Sequence, residues 1–524
     1  MFTMLAASKM NGGRDRLHEL SGTPPLSFTA KGKPLTAWSI NGNTVQNGTP
    51  TPENPVEVQA VGDRTANLFD YSTIRTGYRI IWATGTDYAD NTAMMSDYIK
   101  VKNTTYSCSN KAIIICYDGN KNYLGALNKS MVVKKEVGIF YDMFTINDNE
   151  CKFIKLLAYQ GFVIGNKTML NEGSTALPYE PYGYKIPVVA RGKNLLEPIG
   201  FSAQAITNIN DYRGKTNTYG TSLSTIYGGS VLVTQANQSG NTTSYTNGFF
   251  YIAVDFSKFT TGKNYILSFD YEIKEKHSEL VNSIAYIGKV TNFVTIDGDW
   301  SKDGRKSVTF TVKEGFNPYI EIRLCGNSIF VSNIQIEEGT TATPYEPYHE
   351  PITTPIYLDT PLYKIGKYAD SRGMTEEVRV VKELVLTGKE DWYYMPNYDV
   401  ENTVRIHSMA ILQGIKATML ELCSHFEHMN YSSLNVANKP AFSIANGTQL
   451  VFRISKVEGS AATYFKAYLA AQYAAGTPVK VYYAMKTPET KTVEPVEIPT
   501  LNGTTVIDVD TAVKPESMTI KYRR

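Results

Sequence analysis

The chain has 524 residues, 42% of them hydrophobic, which is enough for several packed cores and excludes a globally disordered protein. Its 52 basic and 50 acidic residues nearly cancel, so no broad field attracts a nucleic-acid backbone or an acidic membrane. Only 19% of residues are charged, and threonine, asparagine, glycine and 36 tyrosines take their place. That composition favours strands and polar turns over helices.

The five cysteines form no CxxC pair and therefore predict neither a disulfide framework nor a structural zinc site. Reduced thiols are typical of a protein that folds in a cytoplasm. The N-terminal sequence, MFTMLAASKMNGGRDRLHEL, lacks the basic stretch and long apolar run of a signal peptide. No apolar run approaches the roughly 20 residues that span a bilayer, so membrane insertion is not expected.

The first part of the chain gives weak signals. Residues 1–37 show no clear pattern and are expected to form an N-terminal arm. Residues 38–66 contain WSINGNTVQNGTPTPENPVEVQAVG, in which Pro50, Pro52 and Pro55 separate two short strand-like pieces. This segment is predicted to be a proline-rich β linker.

One motif occurs twice, as EGSTALPYEPY at 172–182 and as EGTTATPYEPY at 338–348. Each copy follows a stretch of single-domain length that starts at an Asn-Leu pair, near Asn67 and near Asn194. The repeat therefore predicts two modules that start and end alike. The predicted boundaries are 67–182 for module 1, 183–193 for a linker, 194–348 for module 2 and 349–524 for a C-terminal domain.

Inside the modules the hydrophobic residues recur with a period of two. YILSFDYEI at 265–273, SVTFTV at 307–312 and IFVSNIQIEEG at 329–339 alternate apolar and polar side chains. Such runs between Gly, Asn and Asp turns indicate antiparallel strands with one buried face. The predicted fold class is mainly β, with tandem antiparallel β-sandwich modules of the jelly-roll type.

The C-terminal domain is predicted to be β-rich with one helix near 461–475. AATYFKAYLAAQYAAG places Phe465 and Leu469 one helical turn apart. Ser460 is the expected N-cap and Gly476 the expected stop.

Several segments resemble proteins of one kind. TVQNGTPTPENPVEVQAVGDRTANLFD resembles the opening of minor structural proteins from tailed phages and prophages of Gram-positive bacteria. MLNEGSTALPYEPY and IFVSNIQIEEGTTATPYEPY resemble the closing strand and exit of carbohydrate-binding-like jelly rolls in phage tail proteins, and YILSFDYEI and DWSKDGRKSVTFTV resemble their inner strands. The end, VKVYYAMKTPETKTVEPVEIPTLNGTTVIDVDTAVKPESMTIKYRR, resembles the C-termini of the same phage proteins. The resemblance covers most of residues 38–524.

This resemblance implies a virion structural protein of the tail tip, baseplate or fibre, assembled in the host cytoplasm and exposed on the particle. Residues 1–37 are the expected site of attachment to that particle. The implied partners are other tail or baseplate proteins and host cell-wall polysaccharide, which a homo-oligomer, with a trimer as the expected form, would bind multivalently. No cofactor is expected, although the resemblance leaves room for a structural calcium.

Two alternatives stay open. One alternative is a purely architectural part of the virion, such as a collar fibre, head fibre or baseplate connector. The other is a cell-wall or capsule polysaccharide hydrolase. No GxSxG, P-loop or HExxH pattern is present, and no pair of carboxylates stands out among fifty acidic residues. The chain is therefore predicted not to be an enzyme.

Aromatic side chains in predicted loops are the best candidates for stacking on sugar rings. The alternative for each is packing or contact between subunits. The candidates are Tyr78, Trp82 and Tyr88 in RTGYRIIWATGTDYAD, and Trp392, Tyr393 and Tyr394 in GKEDWYYMPNY.

The conspicuous residues of the two repeats are interpreted as structural. Their prolines cannot donate to a β ladder and stiffen the chain as it leaves each module. Their tyrosines are expected to pack that chain against its own sandwich. These residues are Pro178, Tyr179, Pro181 and Tyr182 in module 1, and Pro344, Tyr345, Pro347 and Tyr348 in module 2.

Two polar segments are candidates for metal sites. In ELCSHFEHMN, a strand would place Glu421, Cys423, His425 and Glu427 on one face and His428 on the other, but an ordinary strand explains the pattern as well. DGDWSKDG at 297–304 has its glycine too late for an EF-hand and is interpreted as an Asp-rich turn.

Overall fold

The computed structural model describes residues 16–197, 221–227, 230–235, 249–275, 282–289, 292–298, 302–316, 319–323, 328–409, 411–412, 414–416 and 418–524. The chain is mainly β, with antiparallel sheets and a single longer helix in the described ranges, which confirms the predicted fold class. None of the described helices is both long and apolar enough to span a membrane. Short 3-10 helices occur at Tyr71–Thr73, Phe256–Lys258 and Pro396–Tyr398.

A central sandwich takes its strands from almost the whole length of the chain. Its main strands are β1 (Leu17–Gly22), β2 (Leu26–Lys31), β3 (Ala37–Asn41), β6 (Asp63–Arg64), β16 (Tyr184–Arg191), β26 (Ile352–Leu358), β29 (Ser371–Gly373), β30 (Glu376–Val385), β33 (Leu422–Cys423), β36 (Lys480–Thr492), β37 (Asn502–Val509) and β38 (Ser517–Arg523). Two small ribbons border it, β4 (Thr44–Val45) with β5 (Gln59–Ala60), and β27 (Lys364–Ile365) with β28 (Tyr368–Ala369).

The two sheets of this sandwich enclose one core. One sheet has the order β2-β37-β16-β26, with β6 beside β16, and the other has the order β1-β38-β3-β29-β30-β36-β33. Strand alternation buries Phe28, Trp38, Val188, Ile507 and Ile520 between them. The last strand, β38, lies between β1 and β3, so the two ends of the described chain close the same sheet.

The other units are insertions into this sandwich. Module 1 lies between β6 and β16, module 2 between β16 and β26, and a third unit between β30 and β36. Each insertion leaves and returns at neighbouring points: Arg64 pairs with Tyr184, and Ala190 pairs with Ile352.

This nesting differs from the expected linear order. Residues 1–15 of the expected arm lie outside the described residues, while its later part forms β1 and β2. The expected linkers at 38–66 and 183–193 contribute β3 and β16 to the core. The expected C-terminal domain at 349–524 is divided between the sandwich and the third unit. Segments this short resemble linkers in sequence because their sheet partners lie hundreds of residues away.

Module 1 has a nine-stranded sheet with a core on each face. The strand order in this sheet is β12-β11-β10-β14-β8-β7. In addition, β13 and β15 pair with β10, and β9 pairs with β14. Ile114 and Cys116 face one core, whereas Ile113 and Ile115 face the other. The strands are β7 (Arg75–Ile80), β8 (Asp87–Met95), β9 (Ile99–Lys100), β10 (Thr105–Tyr117), β11 (Tyr123–Leu127), β12 (Val133–Lys134), β13 (Phe140–Thr145), β14 (Phe153–Ala158) and β15 (Leu170–Glu172).

Module 2 has the strand order of a jelly roll. Its strands are β17 (Thr221–Tyr227), β18 (Ser230–Gln235), β19 (Phe249–Ala253), β20 (Asn264–Glu275), β21 (Asn282–Lys289), β22 (Asn292–Gly298), β23 (Gly304–Thr311), β24 (Tyr319–Arg323) and β25 (Ser328–Glu338). The order β18-β25-β20-β23 forms one sheet, extended by β17, and β19-β24-β21-β22 forms the other. Leu267, Phe269, Ile320 and Ile336 are buried between them.

The third unit packs a helix on a four-stranded sheet. The sheet has the order β31-β32-β35-β34, from β31 (Trp392–Tyr394), β32 (Thr403–Ser408), β34 (Ala441–Ala445) and β35 (Gln449–Ser455). The helices are α1 (Tyr431–Leu434) and α2 (Ala461–Ala474). The predicted helix is confirmed as α2: the Ser460 side chain accepts from Thr463 N–H, Gly476 has φ +75°, and Phe465 and Leu469 are buried.

Candidate functional site

Two buried asparagines hold the start and end of each module together. In module 1, Asn67 Oδ1 accepts from Phe69 and Leu170 N–H, and Nδ2 donates to the carbonyls of Thr168 and Glu180. Because Glu180 is the central residue of the first PYEPY, one side chain ties the module's beginning to its end.

The second copy repeats this arrangement. Asn194 Oδ1 accepts from Leu196 and Ile336 N–H, while Nδ2 donates to the Glu346 carbonyl at 3.1 Å. The Glu346 carboxylate accepts from Thr504 N–H at 2.8 Å, which fastens module 2 to the central sandwich. Although burial opposes it, the bonds from Thr504 and Lys193 lower the pKa of Glu346.

The tyrosines of the two repeats also contact residues of this chain. Tyr179 donates to the Asn166 carbonyl, Arg64 lies over Tyr182, and Tyr348 donates to Glu350. Burial raises the pKa of Tyr345, and it raises that of Tyr348 to about 12. Pro178, Pro181, Pro344 and Pro347 lie in extended chain outside any strand. These contacts support the structural interpretation, which stays a prediction with respect to ligands.

The first predicted aromatic trio does not form one platform. Tyr78 and Tyr88 lie in β7 and β8, not in a loop, and the register pairs Tyr78 with Ala89 and Arg79 with Tyr88. Because paired residues share a face, the two tyrosines point to opposite faces of the hairpin. Trp82 packs against the module's core.

The second trio is also dispersed. Trp392 makes edge contacts with Phe452 and Phe465 in the core of the third unit. Tyr393 accepts from Gln449 Nε2 at 3.0 Å, on the face opposite Trp392. Tyr394 donates to the carboxylate of Asp399. Binding by either trio stays a prediction.

The segment ELCSHFEHMN does not form the expected long strand. Only Leu422 and Cys423 belong to one, and His428 Nε2 lies 3.2 Å from Glu421 instead of pointing away from it. Within the part of the chain that the structure describes, no three His, Cys, Asp or Glu side chains form a metal-binding group. Part of DGDWSKDG, residues 299–301, lies outside the described residues.

Glu421 gives a pH-dependent prediction. Burial acts to raise the pKa of Glu421, but hydrogen bonds from His428 and Thr418 outweigh it and lower that pKa from 4.5 to about 2. A carboxyl whose pKa is depressed in the folded state stabilises above its unfolded pKa and loses that contribution as pH falls. We expect a loss of about 3 kcal/mol between roughly pH 5 and pH 2.

Urea denaturation of wild type and Glu421→Gln at pH 6, 4 and 3 measures this contribution. The difference in unfolding free energy between the two proteins should shrink as pH falls. Glu489→Gln, at a glutamate whose side chain is 68% exposed, is the matched control and should show no such trend. A constant difference between wild type and Glu421→Gln would contradict the assignment.

A further candidate site is a groove of about 570 Å³ between the central sandwich and the third unit. We call it the junction groove. It is lined by the proline segment 55–64, Tyr184, Tyr363, Ser424, His425, the turn 476–478, Lys480 and Tyr482. Ligand sites prefer such concave junctions, where apolar walls carry a few polar groups.

Two buried tyrosines form much of this wall. Tyr363 and Tyr482 have ring centroids 5.0 Å apart and pack with Val58 and Ala60. The Tyr363 hydroxyl donates to Glu383 Oε2 at 2.9 Å, and Lys480 Nζ lies 3.0 Å from Glu383 Oε1. Burial raises the pKa of both tyrosines well above the ordinary value, so their hydroxyls stay protonated.

A cation lies at the surface of the groove. The Arg64 guanidinium carbon is 4.3 Å from the centroid of the Tyr184 ring and 5.7 Å from that of Tyr182. Arg64 forms no ion pair with any described residue and is exposed. Stacking therefore holds its position while its N–H donors remain accessible.

Sequence reasoning did not find this groove. Tyr184, Tyr363 and Tyr482 lie in separate strands or turns, and only folding brings them together. Of its lining residues, only His425 was a candidate for a functional site, as a metal ligand; Pro55 and Gly476 were predicted to have structural roles. The one local signal was PYGYK, where Tyr184 follows the first repeat directly.

No family model matches the chain, and no curated protein matches it. Among solved structures, the infectious bursal disease virus VP2 subviral particle is similar at 7% sequence identity, over 97% of this chain and 81% of that chain, with a TM-score of 0.08. A TM-score this low carries no argument about fold or function.

Proposed function

We propose that this chain is a structural protein of a phage tail tip, baseplate or fibre, and that its junction groove binds host-surface glycan. The observation that carries the proposal is the groove itself. It presents the partly exposed ring of Tyr184 and the accessible guanidinium of Arg64 above it, and aromatic rings and N–H donors are groups that contact sugar rings and bond to their hydroxyls.

The architecture supports the same proposal. A jelly roll and a second β module project from a sandwich closed by both ends of the described chain. This organisation gives a rigid base with several presented surfaces. A homo-oligomer would multiply weak sugar contacts into firm attachment. The virion context comes from the sequence resemblance of residues 38–524.

Binding of the purified full-length protein to Gram-positive cell walls and to a glycan array tests this proposal. Arg64→Ala should weaken binding about tenfold, because it removes the accessible donors of the groove. Arg75→Ala is the control outside the groove: Arg75 also lies over a tyrosine, with its guanidinium carbon 5.1 Å from the centroid of the Tyr78 ring, but its donors are engaged by Asp87 at 2.8 Å.

Three other outcomes would each point to a different conclusion. A loss confined to Arg75→Ala would move the site to the hairpin of module 1. No binding by any oligomeric form would remove the glycan role. Released reducing ends after incubation with wall polysaccharide would show a hydrolase instead.

A purely architectural role is the second candidate. Module 1 exposes two neighbouring apolar side chains, Phe162 with 41% and Val163 with 57% of its surface accessible. The Phe162 ring stacks on the Phe140 ring, with 3.9 Å between the ring centroids. Exposed apolar groups of this kind suit contact with a neighbouring protein. An image of the intact particle decides, because a position far from the distal tip would favour this role over receptor binding.

A further inference from the structure

One lysine of module 1 is buried without a partner of opposite charge. Lys155 is 7% exposed, and among the described residues its Nζ forms no hydrogen bond and no ion pair. It lies on β14 between Phe153 and Leu157, which face the second core of the module. An ammonium in such a position is unusual, because charged groups are almost never buried unless they are paired.

Two tyrosine rings hold this ammonium in place. Lys155 Nζ is 4.0 Å from the centroid of the Tyr98 ring and 5.7 Å from that of the Tyr117 ring. The two rings meet edge-on, with 4.9 Å between their centroids. We call the place formed by Lys155, Tyr98 and Tyr117 the lysine recess. Contact with aromatic faces offsets the cost of burying a charge only in part, so an anion would still be favoured there.

The lysine recess reaches the surface of module 1. Lys155 Nζ is not among the fully enclosed polar atoms that lack a partner in the described chain, and Tyr98 is only partly buried. The exposed Lys121 places a second ammonium 4.9 Å from the centroid of the same Tyr98 ring. A slender ligand group can therefore reach Lys155 Nζ, with another cation nearby at the surface.

The charges around the recess favour an anion. The charged side chains that act on the Lys155 ammonium are Asp97, Asp87, Arg75 and Lys121. Arg75 and Asp87 neutralise each other in an ion pair at 2.8 Å. Two lysines then face one remaining carboxylate of this set, so the recess has an excess of positive charge. Burial lowers the pKa of Lys155, and an anion beside Nζ would act in the opposite direction.

We propose that the lysine recess binds a phosphate or carboxylate group, one of whose oxygens accepts a hydrogen bond from the Lys155 ammonium. This inference adds to the junction groove a second site, on another module and for another class of ligand. The two rings fix the ammonium before the ligand arrives, so little conformational entropy is lost on binding. A hydrogen bond between charged groups in such a recess is stronger than one in open solvent.

Binding of inorganic phosphate, poly(glycerol phosphate) and poly(galacturonate) to the full-length protein tests the inference. Lys155→Met keeps the length of the side chain but removes its charge, so affinity for the bound probe should fall about tenfold or more. Lys111→Met is the matched control, because Lys111 is exposed on β10 of the same module and its replacement changes the net charge equally. Affinity in this control should stay at the wild-type level.

Each outcome decides one question. A loss confined to Lys155→Met supports the inference, and the polymer that binds more tightly identifies the anion as phosphate or carboxylate. Equal losses in Lys155→Met and Lys111→Met would show general attraction between charges and overturn the inference. It is also overturned if wild type binds none of the three probes, and binding of neutral glycan would then leave the junction groove standing.

Stability measurements separate loss of the site from loss of the fold. Replacing a buried charge by an apolar side chain is often neutral or stabilising, so Lys155→Met should unfold at the same urea concentration as wild type or a higher one. In wild type, the bound probe should slow hydrogen exchange in 96–102 and 118–123, which carry Tyr98 and Lys121. Unchanged exchange there while the probe is bound would place the site elsewhere and overturn the inference.

Discussion

Removal of residues 517–524 is expected to unfold the central sandwich as a whole. The deleted strand β38 pairs with β1 on one side and with β3 on the other, and Met518 and Ile520 are fully buried in the core. Loss of each such side chain costs about 2–5 kcal/mol, and the strand's ladder bonds are lost as well. The sum approaches the entire stability of a typical domain, about 5–15 kcal/mol.

Hydrogen exchange with mass spectrometry locates the damage. In the truncated protein, protection should be lost in β2 and in β16, which face β38 across the same core. A chain made of consecutive independent domains would instead lose protection only within 349–524. Retained protection at β16 would therefore contradict the nested arrangement.

Truncation after Tyr522 is the matched control for this deletion. It removes only Arg523 and Arg524, whose side chains are exposed. Both truncated proteins end in a new C-terminal carboxylate, so any effect of moving that charge appears in both. Protection in β2 and β16 should stay at the wild-type level in this control.

Local features of the fold could be predicted from the sequence because their causes are local. The period-two runs around Phe269 and Phe310 predicted β20 and β23, and Ser460 and Gly476 predicted the ends of α2. In each case the residues that determine the structure lie within a few positions of one another. The class of fold follows from such signals.

Nesting could not be predicted in the same way. Tyr184–Arg191 carries the alternation of a buried strand, with Ile186, Val188 and Ala190 facing the core, but it is short and lies beside a repeat that resembles a boundary. Its partners β37 and β26 lie far away in the chain. Non-local pairing of this kind leaves no mark within the strand itself.

The candidate site shows the same limit. The aromatic residues predicted to lie in loops were conspicuous by type, yet Trp392 packs, partly buried, against the core of the third unit, and Tyr78 and Tyr88 point to opposite faces of their hairpin. The tyrosines of the groove lie in strands and turns, where alternation already explains them. A site assembled from six separate segments of the chain is visible only once those segments meet.

Replacement of Asn67 by alanine is expected to destabilise module 1 by about 3–5 kcal/mol. Asn67 is 4% exposed, and its side chain makes four hydrogen bonds to the backbone. Alanine leaves two N–H groups and two carbonyls without the side-chain partner they have in wild type. The first PYEPY would then separate from the start of the module.

Denaturant unfolding, followed by hydrogen exchange in β10, measures this loss inside module 1. Asn67→Asp places a carboxylate oxygen against the two carbonyls that Nδ2 bonds, so it should be no more stable than alanine. Asn91→Ala is the matched control, because Asn91 is exposed on β8 of the same module. Its effect should stay within about 0.5 kcal/mol.

Asn194→Ala extends the comparison to module 2. To described residues its side chain makes three such bonds instead of four, so its loss should be smaller than that of Asn67→Ala. The loss of unfolding free energy in each alanine variant would then follow the number of hydrogen bonds that the replaced asparagine makes. Equal stability of Asn67→Ala and wild type would show that the repeats, not the asparagines, hold each module closed.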